Sequence, residues 1–390
     1  MRFIDLAAQQ QRIRSDLERR IRLVLDHGEY ILGPEVDELE ERLAGLTGAG
    51  HCLSCASGTD ALLMVLMAWG LGPGDAVFVP PFSFFATGEA PALLGAMPVM
   101  VDIDPVTFNM DPPALARAVA AVLKRDPSIH PLPALALERQ LRPKAVIPVD
   151  LFGQTADYDA ILPLADEHGL MVLEDAAQSF GAEDHGKKSC ALGCQAAATS
   201  FYPAKPLGGY GDGGAIFTDD DALSDILRSI RVHGQGGGGK GGHVRIGVNG
   251  RLDTLQAAIL LAKLEIFSEE LKARERVAGW YAERLAGLEG LRPPLVGDGR
   301  VSAWAQYSIL VSGGRRDAAA AFLKSRGIPT NIYYPTPMHL LGAFKNLGYQ
   351  AEDFPVALAC SRDILALPFH PYMTEADVSA VGRALEEALG

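Results

Sequence analysis

Met171-Val172-Leu173-Glu174-Asp175-Ala176-Ala177-Gln178-Ser179 begins as a short apolar run and ends in two carboxylates followed by small residues. The run reads as a buried strand, and the small residues as the turn that leaves it. The same unit recurs upstream. Cys52 to Ala56 is apolar and leads into Ser57-Gly58-Thr59-Asp60, after which Ala61 to Trp69 reads as a buried helix. Ala76 to Val79, Pro98 to Val101 and Ala145 to Pro148 are further apolar runs with helical stretches between them. Strands alternating with helices predict an α/β fold, a large and mostly parallel sheet with helices on both faces. Ligands of such sheets sit beyond the carboxyl ends of the strands, which is where Asp175 falls.

Working outward, residues 15–46 read as helical with a break at Gly33-Pro34, and Val36, Leu39, Leu43 and Leu46 repeat at helical spacing. Residues 124–141 carry several prolines and read as an inserted surface loop. After residue 220 the alternation stops. Residues 236–242 are almost all glycine and read as flexible. A helical stretch from Thr254 to Leu288 follows, then a strand (Gln306 to Val311) and helices (Ala318 to Arg326, Glu375 to Leu389). The expected division is a large α/β domain over 1–250 and a smaller C-terminal α+β domain over 251–390.

The 390 residues carry a net charge of -13, the wrong sign for attraction to nucleic-acid phosphates. No apolar run reaches the roughly 18–20 residues of a membrane span. Met1 to Asp5 leads into Gln- and Arg-rich sequence, unlike a secretory signal. Five cysteines fit a reducing, cytoplasmic setting. Cys52 and Cys55 with Cys190 and Cys194 have the makings of a zinc site. However, residues three apart on a strand face opposite ways, so packing is the better reading and no metal is expected.

Two glycine motifs are set aside on context. Gly209-Tyr210-Gly211-Asp212-Gly213-Gly214 fits G-x-G-x-x-G, but a strand-like Ala215-Ile216-Phe217-Thr218 follows where a dinucleotide site needs a helix. Gly234 to Lys240 begins like a phosphate-binding loop, but Gly241 offers no hydroxyl for a metal ion.

Three segments combine into a chemical site. At Ser57-Gly58-Thr59-Asp60 a helix N-terminus offers unpaired N–H groups, Gly58 admits a close approach and Thr59 adds a hydroxyl. A plain helix cap explains the same residues. Asp175, at a strand's carboxyl end, suits a protonated pyridine-type nitrogen, and Gln178 lies in reach of a ring oxygen. Capping or a metal-binding pair is the plainer account of Glu174-Asp175. In Thr199-Ser200-Phe201-Tyr202-Pro203-Ala204-Lys205-Pro206-Leu207-Gly208 the prolines hold Lys205 off any helix, among apolar and small neighbours. A lysine is usually a solvated surface charge, but a desolvated one has a lowered pKa and can form a Schiff base. Ser200 adds a further hydroxyl.

These segments resemble the DegT/DnrJ/EryC1/StrS family of sugar aminotransferases over nearly the whole chain. So do Gly211-Asp212-Gly213-Gly214 and Gly247-Val248-Asn249-Gly250-Arg251-Leu252-Asp253. The resemblance implies the fold-type-I architecture and pyridoxal 5′-phosphate as cofactor. It implies Lys205 as the Schiff-base and proton-shuttling lysine, Asp175 against the ring nitrogen, Gln178 on the ring oxygen, and Gly58, Thr59 and Ser200 on the phosphate. Phe84, in Pro80-Pro81-Phe82-Ser83-Phe84-Phe85-Ala86-Thr87, matches the aromatic that stacks on the ring. Asn249 matches a residue that reaches the neighbouring subunit's cofactor, which implies a homodimer with shared sites. A dehydratase branch carries His at the lysine position, so Lys205 points to transamination.

Within the family, Phe3-Ile4-Asp5-Leu6, the Asp175 to Phe180 segment and Arg251 to Gln256 are similar to enzymes that aminate C3 of a UDP-linked 3-oxo-N-acetylglucosaminuronate. L-Glutamate is the implied amino donor. Arg251 lies near enough to meet a substrate anion, and Tyr333 and Tyr334 line the sugar pocket. One departure stands out: where such members read His-Tyr-Pro, this chain has Tyr333-Tyr334-Pro335. An acceptor of the dTDP-3- or 4-keto-6-deoxy type, or a cofactor-bound regulator without turnover, are the alternatives.

Overall fold

The computed structural model describes residues 1–236 and 242–390. Seven strands form one sheet: β1 (His51–Cys55), β2 (Asp75–Val79), β3 (Met97–Met100), β4 (Arg142–Val146), β5 (Met171–Asp175), β6 (Ala196–Ser200) and β7 (Gly214–Thr218). Their order is β1-β7-β6-β5-β4-β2-β3. Pairing is parallel from β6 through β3, and β7 runs antiparallel to both of its neighbours. A parallel return needs a long crossover, and residues 201–213 contain no helix to supply one, so β7 turns straight back. The mostly parallel sheet expected from the sequence is present.

Helices α1 (Pro34–Thr47), α2 (Gly58–Ala68) and α3 (Ala86–Leu93) belong to this layer. Pro34 opens α1, and Gly48, at φ 85°, closes it in the left-handed region. α2 starts at Gly58, not at Ala61 as its apolar pattern suggested. Ser57 Oγ accepts Asp60 N–H at 3.0 Å and caps the helix, so Gly58, Thr59 and Asp60 are its first turn. Apolar periodicity has no sight of a helical turn made of polar and small residues.

β4 is also displaced, ending at Val146 instead of spanning Ala145 to Pro148. Its first residue, Arg142, is fixed by a 2.7 Å bond from Nε to buried Asp75 Oδ1 on β2. The segment 124–141 is a docked element and not a solvated loop. It holds a short helix at Ala134–Glu138, buries Leu132, Ala136 and Leu141, and ties His130 Nε2 to Met100 O at 2.8 Å.

The long helix α4 (Thr254–Leu285) serves two cores. Ala257, Leu260, Leu261 and Phe267 pack with Phe180, Phe201 and Phe217 beside the large sheet. Val277, Tyr281 and Leu285 pack with Tyr307, Leu365 and Phe369. The second core covers a small antiparallel sheet of β8 (Leu291–Arg292), β9 (Tyr307–Val311) and β10 (Ile364–Leu367), flanked by α5 (Arg316–Ser325) and α6 (Glu375–Leu389). Each Val, Leu or Phe among them, fully buried, contributes about 1.5–3 kcal/mol.

The glycines at 209–214 serve this packing. A Cβ on Gly209 or Gly211 would stand 2.9 Å from the Gln256 side chain of α4. The glycine run at 237–241, and with it the end of the Gly234 to Lys240 match, lies outside the described residues. The four cysteines considered for zinc go to different places: Cys52 and Cys190 to one core, Cys55 to a second, Cys194 against a third.

Candidate active site

The carboxyl ends of β1, β2, β5 and β6 converge on one region. Asp175 closes β5 and is buried. Its Oδ2 accepts a 2.8 Å bond from Thr87 Oγ1, its Oδ1 a 3.3 Å bond from Ala177 N–H, and Ser83 Oγ lies 3.1 Å from Thr87 Oγ1. Burial pushes the carboxyl upward, while the Thr87 and Ala177 bonds and the charge on Lys205 pull the other way.

Lys205 sits in the turn after β6, with its N–H on Tyr202 O at 2.8 Å. Desolvation lowers its amine to about 8, against an upward pull from Asp175. Desolvation outweighs attraction, so the amine exchanges protons near neutral pH. The N-terminal segment Ile4–Leu6 closes over this turn. The cleft between them is also lined by Gln9, Arg274 and His370.

Gln178 is buried, and its Oε1 accepts Phe152 N–H at 2.9 Å. Its Nε2 faces Tyr334 OH at 3.4 Å. The Tyr334 ring packs against Phe82 and Phe84 at centroid distances of 6.2 and 6.4 Å. Phe84 stands at the rim, 57% exposed. Tyr333 turns toward Phe3, and its OH accepts Asn331 Nδ2 at 3.2 Å.

At the other end, a Cβ on Gly58 would lie 2.8 Å from Ser200 Cβ. Glycine is what lets the first turn of α2 and the end of β6 meet. Thr59, on that turn, is half-buried. The structure therefore brings together Gly58, Thr59 and Ser200 at one pole and Asp175, Lys205, Gln178, Phe84 and Tyr334 at the other.

Asn249 is exposed and pairs through its backbone with Val232. The next residue, Gly250, accepts Ala56 N–H at 3.0 Å, so this segment runs along the exit of β1. Arg251 is half-buried, and its Nε has no hydrogen-bond partner among the described residues. Neither side chain bonds to the Asp175 group among the described residues. Thr87 was not singled out from the sequence. Its signal was position: it lies three residues beyond Phe84 in a segment that leaves a strand's carboxyl end.

Residues 11–386 match the DegT/DnrJ/EryC1/StrS aminotransferase family. The chain is 47% identical to a UDP-2-acetamido-2-deoxy-3-oxo-D-glucuronate aminotransferase of Pseudomonas aeruginosa, over 98% of this chain and 99% of that one. The crystal structure of a DegT DnrJ EryC1 StrS aminotransferase from Brucella abortus superposes with a TM-score of 0.93 at 47% identity, covering 100% of both chains. S. venezuelae DesV, solved in complex with a ketimine intermediate, gives a TM-score of 0.90 at 35% identity, with 99% of this chain and 97% of that one covered. With the family model matched over residues 11–386, the chain belongs to the DegT/DnrJ/EryC1/StrS aminotransferase family.

Proposed function

We propose that the chain moves an amino group from L-glutamate to the keto group of a nucleotide sugar, with C3 of a UDP-linked 3-oxo-N-acetylglucosaminuronate as the acceptor. The observation that carries this is the desolvated Lys205 amine set in the field of buried Asp175. The family's cofactor is pyridoxal 5′-phosphate, and the site fits it at both poles. Gly58 leaves a cradle against Ser200 that any Cβ would fill. Asp175 is a buried carboxylate that a ring N–H would satisfy. When bound, this cofactor supplies an electron sink that lets a C–H bond next to nitrogen break.

The residues divide the work. Gly58, Thr59 and Ser200 hold the phosphate at the positive end of α2. Asp175 holds the ring nitrogen protonated, and Thr87 aims that carboxylate. Gln178 has its Oε1 committed to Phe152 N–H, so Nε2 is the end left for the ring oxygen. Phe84 covers one ring face. Lys205 Nζ takes the proton from Cα of glutamate and returns one to C3 of the sugar, work that needs an amine near neutrality.

Arg251, with a buried unmatched N–H, supplies the cation for a uronate, and Tyr333 and Tyr334 face the sugar. The active unit is a homodimer in the cytoplasm, with Asn249 serving the neighbouring site. Exposed Tyr30, Ile31, Leu32, Val244 and Ile246 supply apolar surface for the second copy. No helix among the described residues is long and apolar enough to cross a membrane.

The uncharged Tyr333, with its OH engaged by Asn331, favours one second reading: a dTDP-3- or 4-keto-6-deoxy sugar as acceptor. The test mixes the purified pyridoxamine form with UDP-2-acetamido-2-deoxy-3-oxo-glucuronate. Return of the pyridoxal absorbance and an amino sugar in the mass spectrum are expected. A response only to the dTDP sugars moves the assignment to them, and silence with every keto sugar overturns it.

A further inference from the structure

Behind Asp175 lies a buried polar chain whose side chains take no proton from the substrate. Glu174 precedes Asp175 on β5, so its side chain takes the opposite face of the sheet. Its Oε1 accepts Cys190 N–H at 2.8 Å and lies 2.9 Å from Ser189 Oγ. Ser189 Oγ is 2.7 Å from Ser179 Oγ, which is 2.7 Å from Asp150 Oδ2. Asp150 Oδ1 accepts Ala156 N–H at 2.8 Å and Tyr158 OH at 2.9 Å. Glu174, Ser189, Ser179 and Asp150 are each 0% exposed.

Counting protons decides the charge. The chain from Glu174 to Asp150 has three oxygen–oxygen contacts in series, all at hydrogen-bond length. The two serine hydroxyls supply only two hydrogens. With both carboxyls ionised, one contact would set lone pair against lone pair. The third hydrogen therefore resides on a carboxyl. Asp150 receives donors at both oxygens, whereas buried Glu174 Oε2 has no partner among the described residues. An ionised carboxylate with an unserved buried oxygen is costly, and a neutral acid tolerates it.

We infer that Glu174 is a neutral carboxylic acid that donates through Ser189 and Ser179 to an ionised Asp150, and that this directed chain positions Asp175 and Gln178 against the cofactor. Burial and the nearby Asp150 charge act the same way, raising Glu174 well above the carboxylate range, while Asp150 stands lower, at about 6. The links to the site are short. Asp150 N–H donates to Asp175 O at 3.1 Å. Ser179 follows Gln178, whose Oε1 is held by Phe152, two residues from Asp150. A neutral Glu174 also spares Asp175 a second negative charge on the same strand. The positioning role rests on the pyridoxal phosphate reading; the proton on Glu174 does not.

The test is infrared difference spectroscopy of the holoenzyme against Glu174→Gln, which keeps the side-chain shape and carries no carboxylic acid. The expected result is a carboxylic-acid C=O stretch in the wild type at pH 7 that the variant lacks. Glu174→Ala and, should that variant not fold, Ser179→Ala break the chain. Each should lower kcat about tenfold at unchanged sugar KM and shift the pH at which the cofactor absorbance titrates. No acid band in the wild type, or one that persists in Glu174→Gln, overturns the protonation. An unchanged kcat and absorbance titration in the chain-breaking variants overturns the positioning. The band is read without any sugar, so failure of the acceptor assignment leaves it legible.

Discussion

Thr87 Oγ1 donates to Asp175 Oδ2 at 2.8 Å, joining the first turn of α3 to the last residue of β5 with both side chains buried. The two strands that deliver these residues, β2 and β5, are not neighbours; β4 lies between them. A carboxylate at a strand end is free to rotate about its own side-chain bonds. A hydroxyl from a second element, itself met by Ser83 Oγ at 3.1 Å, leaves it one orientation.

Replacing Thr87 by Val keeps the shape and removes the donor. The lost bond to a charged acceptor is worth about 1.5–3 kcal/mol. Steady-state kinetics should therefore show kcat reduced about 10- to 100-fold, with the sugar KM little changed. Thr87→Ser should restore most of it. Equal kcat in wild type and Thr87→Val would remove Thr87 from the account.

Lys205 gives a pH signature in the cofactor-free protein. Its amine is lowered from the usual lysine value to about 8 in the fold, so the unfolded chain binds more protons between pH 8 and 10.5. Stability then rises with pH across that window, and below it the fold bears the whole cost of the charged amine. In Lys205→Met, denaturant titrations at pH 8 and 10.5 should differ less than in wild type. The same variant should neither show the near-visible absorbance of lysine-bound cofactor nor transfer amine.

The sheet was legible because apolar runs of strand length alternate with helical stretches, a pattern set by local chemistry. Asp175, Gln178, Lys205, Gly58 and Ser200 were legible as candidates because each sits at or just beyond the end of such a run, but the close approach of Gly58 to Ser200 was not. Thr87 was not, because its partner lies 88 residues away and threonine has no sequence marker for a buried acceptor. Asp150 and Ser189 were hidden for the same reason. The docking of residues 124–141 was masked by prolines that space out its apolar side chains. The start of α2 was masked by polar residues that cap one end of a helix and turn its first coil.

Gly58→Ala tests the phosphate cradle. Alanine favours a helix, so the local backbone gains, but its Cβ would stand 2.8 Å from Ser200 Cβ. β6 and α2 must part slightly, which moves the N–H groups and the Ser200 hydroxyl off a shared target. Cofactor affinity, read by fluorescence titration, should fall about tenfold or more, a cost of about 1.4 kcal/mol or above. Melting of the cofactor-free protein should change far less than that of the holoenzyme. Unaltered affinity would mean the phosphate is held elsewhere.

Arg251 decides between the two acceptor classes. Its Nε is buried and unmatched among the described residues, a state that an anionic group on the substrate would relieve. A charged hydrogen bond of this kind is worth about 1.5–3 kcal/mol. With a uronate acceptor, Arg251→Gln should raise KM about 10- to 100-fold while kcat holds, because the carboxylate is bound equally before and during the reaction. With an uncharged keto sugar of the same nucleotide, the variant should differ from wild type by less than about threefold. Equal losses for both sugars would assign Arg251 to the nucleotide phosphates, which the two share, and would leave the uronate without its cation.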